Sequence, residues 1–179
     1  MCSRIALIVV ALAAPSLFAQ TTGQLTIAMS VQSSISLIFQ NNPAVGTPGF
    51  CPLTNPNTNN VGLDLGTASF TGGATSACVA YTKPVGPASY QVASAFDVVV
   101  TKANSSSPTY RLAAQLSLAP PANVVWLINN TTLSNAAFTA LDAADAYATP
   151  ITKTLQVQVK NTVAAQTLQE TITFLATAN

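Results

Sequence analysis

The sequence contains no histidine and few charged residues, and these absences restrict the function before any motif is considered. Charged residues make up 6% of the chain, whereas they make up about a quarter of an ordinary soluble domain. Lysine and arginine total 6 and aspartate and glutamate total 5, so the net charge is close to zero. Nucleic acids and anionic membranes bind basic surfaces, and we therefore exclude both as partners. Weak charge repulsion also favours self-association or assembly with related subunits.

Groups that support catalysis are also scarce. Without histidine, the chain lacks the commonest general base and a common metal ligand. Among the acidic residues, Asp142 and Asp145 are the one close pair, and they either bind a calcium ion or are two solvated carboxylates in a surface loop. The dense Asp, Asn and Gly pattern of a calcium loop is absent around them. We therefore predict no catalytic, cofactor-binding or metal-ligating residues, and a protein that is not an enzyme.

Long apolar runs are missing after the N-terminus. Residues 5–14 form an unbroken apolar run that follows Arg4 and leads to the small residue Ala19. This pattern predicts a signal peptide over residues 1–19, cleaved before Gln20. A membrane-spanning helix needs about 20 apolar residues, so we predict no stable membrane span after cleavage. The expected location is secreted, extracellular or on the cell surface, after transit through the periplasm, and residues 20–179 have the length of one domain.

Cysteine is rare, and two cysteines are left once the predicted signal peptide is removed. Cys51 and Cys78 would then stand alone in an oxidising compartment, where an isolated pair is most simply a disulfide. A metal site is disfavoured because histidine is absent and the two thiols are far apart in sequence. The loop-closure relation gives such a disulfide a stabilising effect of about 3.5 kcal/mol. It would fasten the loop-like residues 40–60 to a short strand predicted at 77–82.

What the chain does contain is alternation of apolar and polar residues, which is typical of half-buried β-strands. It begins at residues 25–39, where apolar side chains occupy nearly every odd position. Residues 89–102 and 110–118 flank a polar turn and predict a β-hairpin. Residues 155–160 and 168–178 predict a second hairpin. Shorter strands are predicted at residues 61–65 and 124–128.

This pattern predicts the fold class. Strands with one apolar and one polar face are typical of antiparallel sheets that expose one face to water. Several such strands predict an all-β fold, a two-sheet antiparallel β-sandwich of the immunoglobulin-like or pilin-like kind. Residues 134–149 are rich in alanine, and we predict a short helical or loop insert there. Trp126 lies in an apolar run and is expected inside the sandwich. Lysines near strand ends or on polar faces are expected to guard sheet edges against pairing, namely Lys83, Lys102, Lys153 and Lys160.

Three segments resemble a known group of proteins. They are TGQLTI at residues 22–27, LDLGT at 63–67 and TITFLATAN at 171–179. In style they are similar to bacterial fimbrial-subunit and spore-coat-U-type secreted domains. The resemblance implies an immunoglobulin-like sandwich that polymerises or decorates a surface, in which an N-terminal strand completes the sheet of a neighbour. The side chains with the right alternation for that role are Leu25, Ile27, Met29 and Val31.

Two functions therefore follow as expectations. The first is a secreted structural protein, a fimbria-like or coat subunit that assembles by strand pairing. The second is a monomeric adhesion or carbohydrate-binding module whose ligand is a surface glycan. In the second case, residues 25–39 are simply the first strand or two of their own domain. The two functions differ in whether this segment pairs with a neighbouring subunit or within its own domain.

Overall fold

The computed structural model describes residues 28–30, 32–83 and 88–179, and almost all regular structure within them is β-strand. One turn of 3-10 helix at Pro43–Val45 is the only helical element in these ranges. The prediction of an all-β fold is therefore confirmed. All elements belong to the unit formed by residues 31–179. The strands are β1 Ser34–Gln40, β2 Leu53–Thr54, β3 Gly62–Leu63, β4 Ala68–Ser69, β5 Gly73–Ala74, β6 Ala80–Thr82, β7 Ser89–Ala103, β8 Thr109–Leu116, β9 Val124–Ile128, β10 Thr131–Thr132, β11 Thr139–Ala146, β12 Ile151–Lys160 and β13 Ile172–Ala178.

The larger sheet is built around its two longest strands, β7 and β12. Its order is β1-β7-β12-β9-β10, and β6 pairs with the N-terminal part of β7. Alternate side chains of β7 are aromatic or β-branched, and Phe96, Val98 and Val100 are almost fully buried. Such side chains favour strands because they pack well on a pleated surface. The predicted strand at residues 89–102 is therefore present within one residue at its C-terminal end.

The smaller sheet has the order β11-β8-β13 and faces the larger one. Phe174 of β13 contacts Phe39 and Phe96 of the larger sheet, with ring centroids 5.1 and 6.0 Å apart. The two inner faces therefore share one apolar core, and the predicted two-sheet antiparallel β-sandwich is confirmed. The inward side chains of β8 are all at most 2% exposed, namely Tyr110, Leu112, Ala114 and Leu116.

Both predicted hairpins are wrong, although the strands that form them are present. β7 and β8 follow each other in the chain but lie in different sheets, and so do β12 and β13. Alternation identifies the buried face of a strand, and it is the same whether the next strand pairs beside it or crosses to the facing sheet. Residues 104–108 and 161–171 therefore connect one sheet to the other.

The predicted insert at residues 134–149 is also wrong in its second half. Thr139–Ala146 is β11, an edge strand paired with β8, and only the residues around it are loop. Alanine favours a helix in isolation, but this preference is weak and tertiary context overrides it. Here the backbone pairs with β8 and the Leu141 side chain packs against the core.

The predicted disulfide between Cys51 and Cys78 is confirmed, with the two Cα atoms 4.8 Å apart. Cys78 precedes β6 and does not lie in it, which corrects the predicted strand start at residue 77. The loop that carries Cys51 is fixed to β7 by hydrogen bonds. The Ala95 N–H donates to the Gly49 carbonyl (2.8 Å) and the Cys51 N–H donates to Ser94 Oγ (2.8 Å). The loop thus occupies the edge of β7 between β1 and β6.

Replacing both cysteines with alanine is expected to lower the free energy of unfolding by about 3.5 kcal/mol, because the unfolded chain then loses its cross-link. Urea denaturation of the wild type and of the Cys51→Ala/Cys78→Ala variant measures the difference. Adding a reductant should lower the midpoint of the wild type and leave that of the variant unchanged. A midpoint equal in the two oxidised proteins would contradict the stabilising role.

Candidate functional site

Two β-bulges turn both carboxylates of the acidic pair toward the interior. In β11, Asp142 lies opposite Leu112 and Asp145 opposite Tyr110, with a register shift on each side of Asp142. Residues three apart on a regular strand point to opposite faces. Each shift adds one residue to β11, so both acids align with inward-facing residues of β8. The alternative of two solvated carboxylates in a surface loop is therefore wrong, since both lie on a strand and are only partly exposed.

Lys153 reaches the acidic pair from the opposite sheet. It lies on β12 opposite Phe96 of β7, and only 1% of it is exposed. Its Nζ forms an ion pair with Oδ2 of Asp142, whose side chain is 22% exposed. The expectation that Lys153 guards a sheet edge is therefore wrong. Lys153 is buried because its position in the alternation of β12 puts it on the same inward face as Leu155.

Asp145 completes a pair of neighbouring carboxyl groups, since it aligns with Tyr110 on the inward face that Asp142 shares. Burial raises the pKa of Asp145, and the neighbouring charge of Asp142 raises it further, while Lys153 lowers it. Asp145 therefore holds a proton more readily than an ordinary aspartate. Its Oδ2 is buried and has no hydrogen-bond partner among the described residues.

Two tyrosines, Tyr110 and Tyr147, lie beside the acidic pair. The rings of Tyr110 and Tyr147 lie 5.2 Å apart, and neither buried hydroxyl finds a hydrogen-bond partner in the part of the chain that the structure describes. Burial raises the pKa of Tyr110 to about 12, with further contributions from Asp145, Asp142 and Tyr147. We call the five residues the charged cluster: Asp142, Asp145, Lys153, Tyr110 and Tyr147.

The presence of a buried ion pair of this kind is weak evidence that it stabilises the fold. Removing two charges from water costs several kcal/mol per ion, and apolar replacements are often equally stable. The charged cluster combines the buried amine of Lys153, the carboxylate of Asp142 in contact with it, and the carboxyl group of Asp145 on the same inward face. This set can transfer protons, and its amine can act as a nucleophile when neutral. In residues 28–30, 32–83 and 88–179, no group of three or more His, Cys, Asp and Glu side chains is placed to hold a metal ion.

A second feature is a groove of about 650 Å³ between the larger sheet and β13, whose accessible lining is polar and apolar in about equal parts. Its remaining wall is formed by residues 59–66 and 168–171, which place Asn59, Asn60 and Asp64 among the lining residues. Trp126 is 8% exposed, as expected for an interior residue, and its buried indole N–H has no hydrogen-bond partner among the described residues. The floor consists of apolar side chains of the larger sheet, namely Phe39, Phe96, Trp126, Ile128 and Leu155.

The strand beside this groove is an edge strand. β13 pairs with β8 on one side, and no described strand pairs with its other side. Glu170 precedes β13 and its carboxylate accepts hydrogen bonds from the backbone N–H groups of Ser117, Leu118 and Thr171. The start of β13 is thus fastened to the end of β8, which keeps its free edge in place beside the groove.

The predicted strand-pairing segment lies almost entirely outside the described residues. Leu25, Ile27 and Val31 are not described, while Met29 is described and is 82% exposed. The first described strand begins later, at Ser34. The segment therefore stays a prediction.

Comparisons with protein-family models, with curated protein sequences and with solved structures found no match to this chain. The resemblance to fimbrial and spore-coat-U-type domains therefore stays a prediction. No helix within the described residues has the length and apolar character needed to cross a membrane.

Replacing Tyr110 with phenylalanine is expected to raise the free energy of unfolding by about 1 kcal/mol, because it removes a buried hydroxyl without a partner. Tyr81→Phe is the matched control. The Tyr81 hydroxyl donates to the Ser69 carbonyl (2.9 Å), so its loss is expected to destabilise by about 1 kcal/mol. Urea denaturation at neutral pH measures both, and equal destabilisation of the two variants would contradict the assignment.

The same variant tests the raised pKa of Tyr110. The unfolded chain loses this proton near the ordinary value of 10.0, whereas the folded protein keeps it to about 12. This titration therefore leaves the free energy of unfolding unchanged below pH 10 and lowers it as the pH rises through that interval. Denaturation midpoints measured across the interval should fall less steeply for Tyr110→Phe than for the wild type.

Proposed function

We propose that the protein is an exported structural subunit of a cell surface, which assembles with copies of itself by strand pairing. The observation that carries this proposal is the groove with an apolar floor beside the free edge of β13. A free edge offers unpaired backbone N–H and C=O groups, which a strand from another chain can bind. The groove beside it offers apolar surface for the alternate side chains of that strand.

The occupant we propose is the N-terminal segment of a second copy, residues 25–31. Its odd positions are apolar and its even positions are mostly small or polar, so one face suits the groove and the other suits water. Met29, on the apolar face, is 82% exposed in the single chain. The nearly neutral charge of the chain supports the same proposal, because copies repel each other only weakly.

A glycan-binding module is the second candidate, and the polar side of the groove favours it. Asn59, Asn60 and Asp64 line the groove together with Trp126. Amide and carboxylate groups beside an aromatic ring are suited to a sugar, since the ring offers an apolar face and the polar groups fix orientation. In this case the protein acts as a monomer, and its N-terminal segment has no role in assembly.

Replacing Ile27 with lysine is expected to abolish oligomers of the mature protein, because a charge would then lie against the apolar floor of the groove. The matched control is Thr26→Lys, which puts the same charge on the opposite face of the segment and should leave assembly intact. Size-exclusion chromatography with light scattering measures the mass of each. A wild type that is strictly monomeric at high concentration would contradict the proposal, and glycan binding by that monomer would favour the second candidate.

The groove side of the contact is tested separately. Leu168 lines the groove, so Leu168→Trp should fill part of it and weaken assembly. Leu118→Trp is the control, since Leu118 is 65% exposed and does not line the groove. Equal oligomer content in these two variants would place the contact elsewhere.

A further inference from the structure

We propose that Lys153 and Asp142 condense into an intramolecular isopeptide bond that joins the two sheets, with Asp145 transferring the protons. This inference goes beyond the function proposed above and does not depend on it. The bond would form between Nζ of Lys153 and Cγ of Asp142. These two side chains already contact each other as an ion pair.

The fold holds the reacting groups together before any reaction. Lys153 is placed by the pairing of β12 with β7, and Asp142 by the pairing of β11 with β8. The bulges of β11 aim Asp142 inward, and Lys153 is 1% exposed, so the amine is not free to move away into water. Groups held in this way react as if present at effective concentrations of about 10⁵–10⁸ M.

Burial also favours the product. The ion pair places the charge of Lys153 where hydration is almost entirely lost and that of Asp142 where it is reduced, which disfavours the charged forms. An amide carries no net charge, so condensation removes both buried charges at once. The water molecule that forms leaves the site, and the nearly complete burial of Lys153 limits the return of water.

The reaction balances without any co-reactant. Proton transfer from the Lys153 ammonium to the Asp142 carboxylate gives a neutral amine and a carboxylic acid. The nitrogen lone pair attacks Cγ to form the C–N bond, and the C–O bond to the hydroxyl group then breaks. The nitrogen loses one proton and the departing hydroxyl gains one, so one amide and one water molecule result.

Asp145 is positioned to carry that last proton. It lies on the same inward face of β11 as Asp142, the group that is attacked, and its Oδ2 is buried without a hydrogen-bond partner among the described residues. Burial and the charge of Asp142 raise the pKa of Asp145, which lets it hold and return a proton. It is unchanged at the end of the reaction.

Mass spectrometry of the reduced and denatured wild-type protein tests the bond directly. We expect a mass lower than that of the sequence by one water molecule. Chymotrypsin cleaves after Tyr147, between the two residues, and should yield a branched fragment that joins the peptide of Asp142 to that of Lys153. Trypsin should not cleave after Lys153. The full sequence mass in folded protein would overturn the proposal, and so would a water loss located in a chymotryptic peptide that contains only one of the two residues.

Variants separate the reacting residues from the proton carrier. Lys153→Arg keeps a cation beside Asp142 but cannot condense in this way, and it should have its full sequence mass. Asp145→Asn keeps the size and hydrogen-bonding capacity of residue 145 and should lose the cross-link. Asp64→Asn, at an exposed position away from the charged cluster, is the matched control and should retain it. A complete cross-link in Asp145→Asn would overturn the role of Asp145.

Discussion

The structure depends on the burial of one strand, β8, against the larger sheet. Its four inward side chains are at most 2% exposed, and each large apolar side chain buried in this way contributes about 1.5–3 kcal/mol. β8 is also the central strand of the smaller sheet, with β11 on one side and β13 on the other. The acids of the charged cluster and the edge strand beside the groove are therefore both placed by the same strand.

Much of the fold could be predicted from the sequence, because alternation records which side chains are buried. The strands β7, β8, β9 and β12 lie close to their predicted positions, and the disulfide follows from the cysteine count and the predicted export. Strand partners could not be predicted in this way, since pairing depends on contacts between residues far apart in sequence. For the same reason, an alanine-rich segment became β11 once it had β8 as a partner.

Only part of the candidate site could be predicted from the sequence. Asp142 and Asp145 stand out as an acidic pair, but the bulges that aim both inward depend on the register with β8. In the sequence Lys153 has the same phase as Leu155, which indicates the inward face of β12. A charged residue is nevertheless ordinarily expected at the surface, so its burial could not be predicted. Tyr147 gave no signal, since it follows the end of β11 and belongs to no alternating pattern.

The two ends of the described sandwich lie in different sheets, and this has a mechanical consequence. β1 is paired with β7 along its whole length, while β13 is paired with β8 in the facing sheet. Tension applied through the chain ends would act along these strands, at right angles to their antiparallel hydrogen bonds. The bonds of each ladder would then share the load and break together. The load would pass from one sheet to the other through the contacts between them, which include that of Lys153 with Asp142.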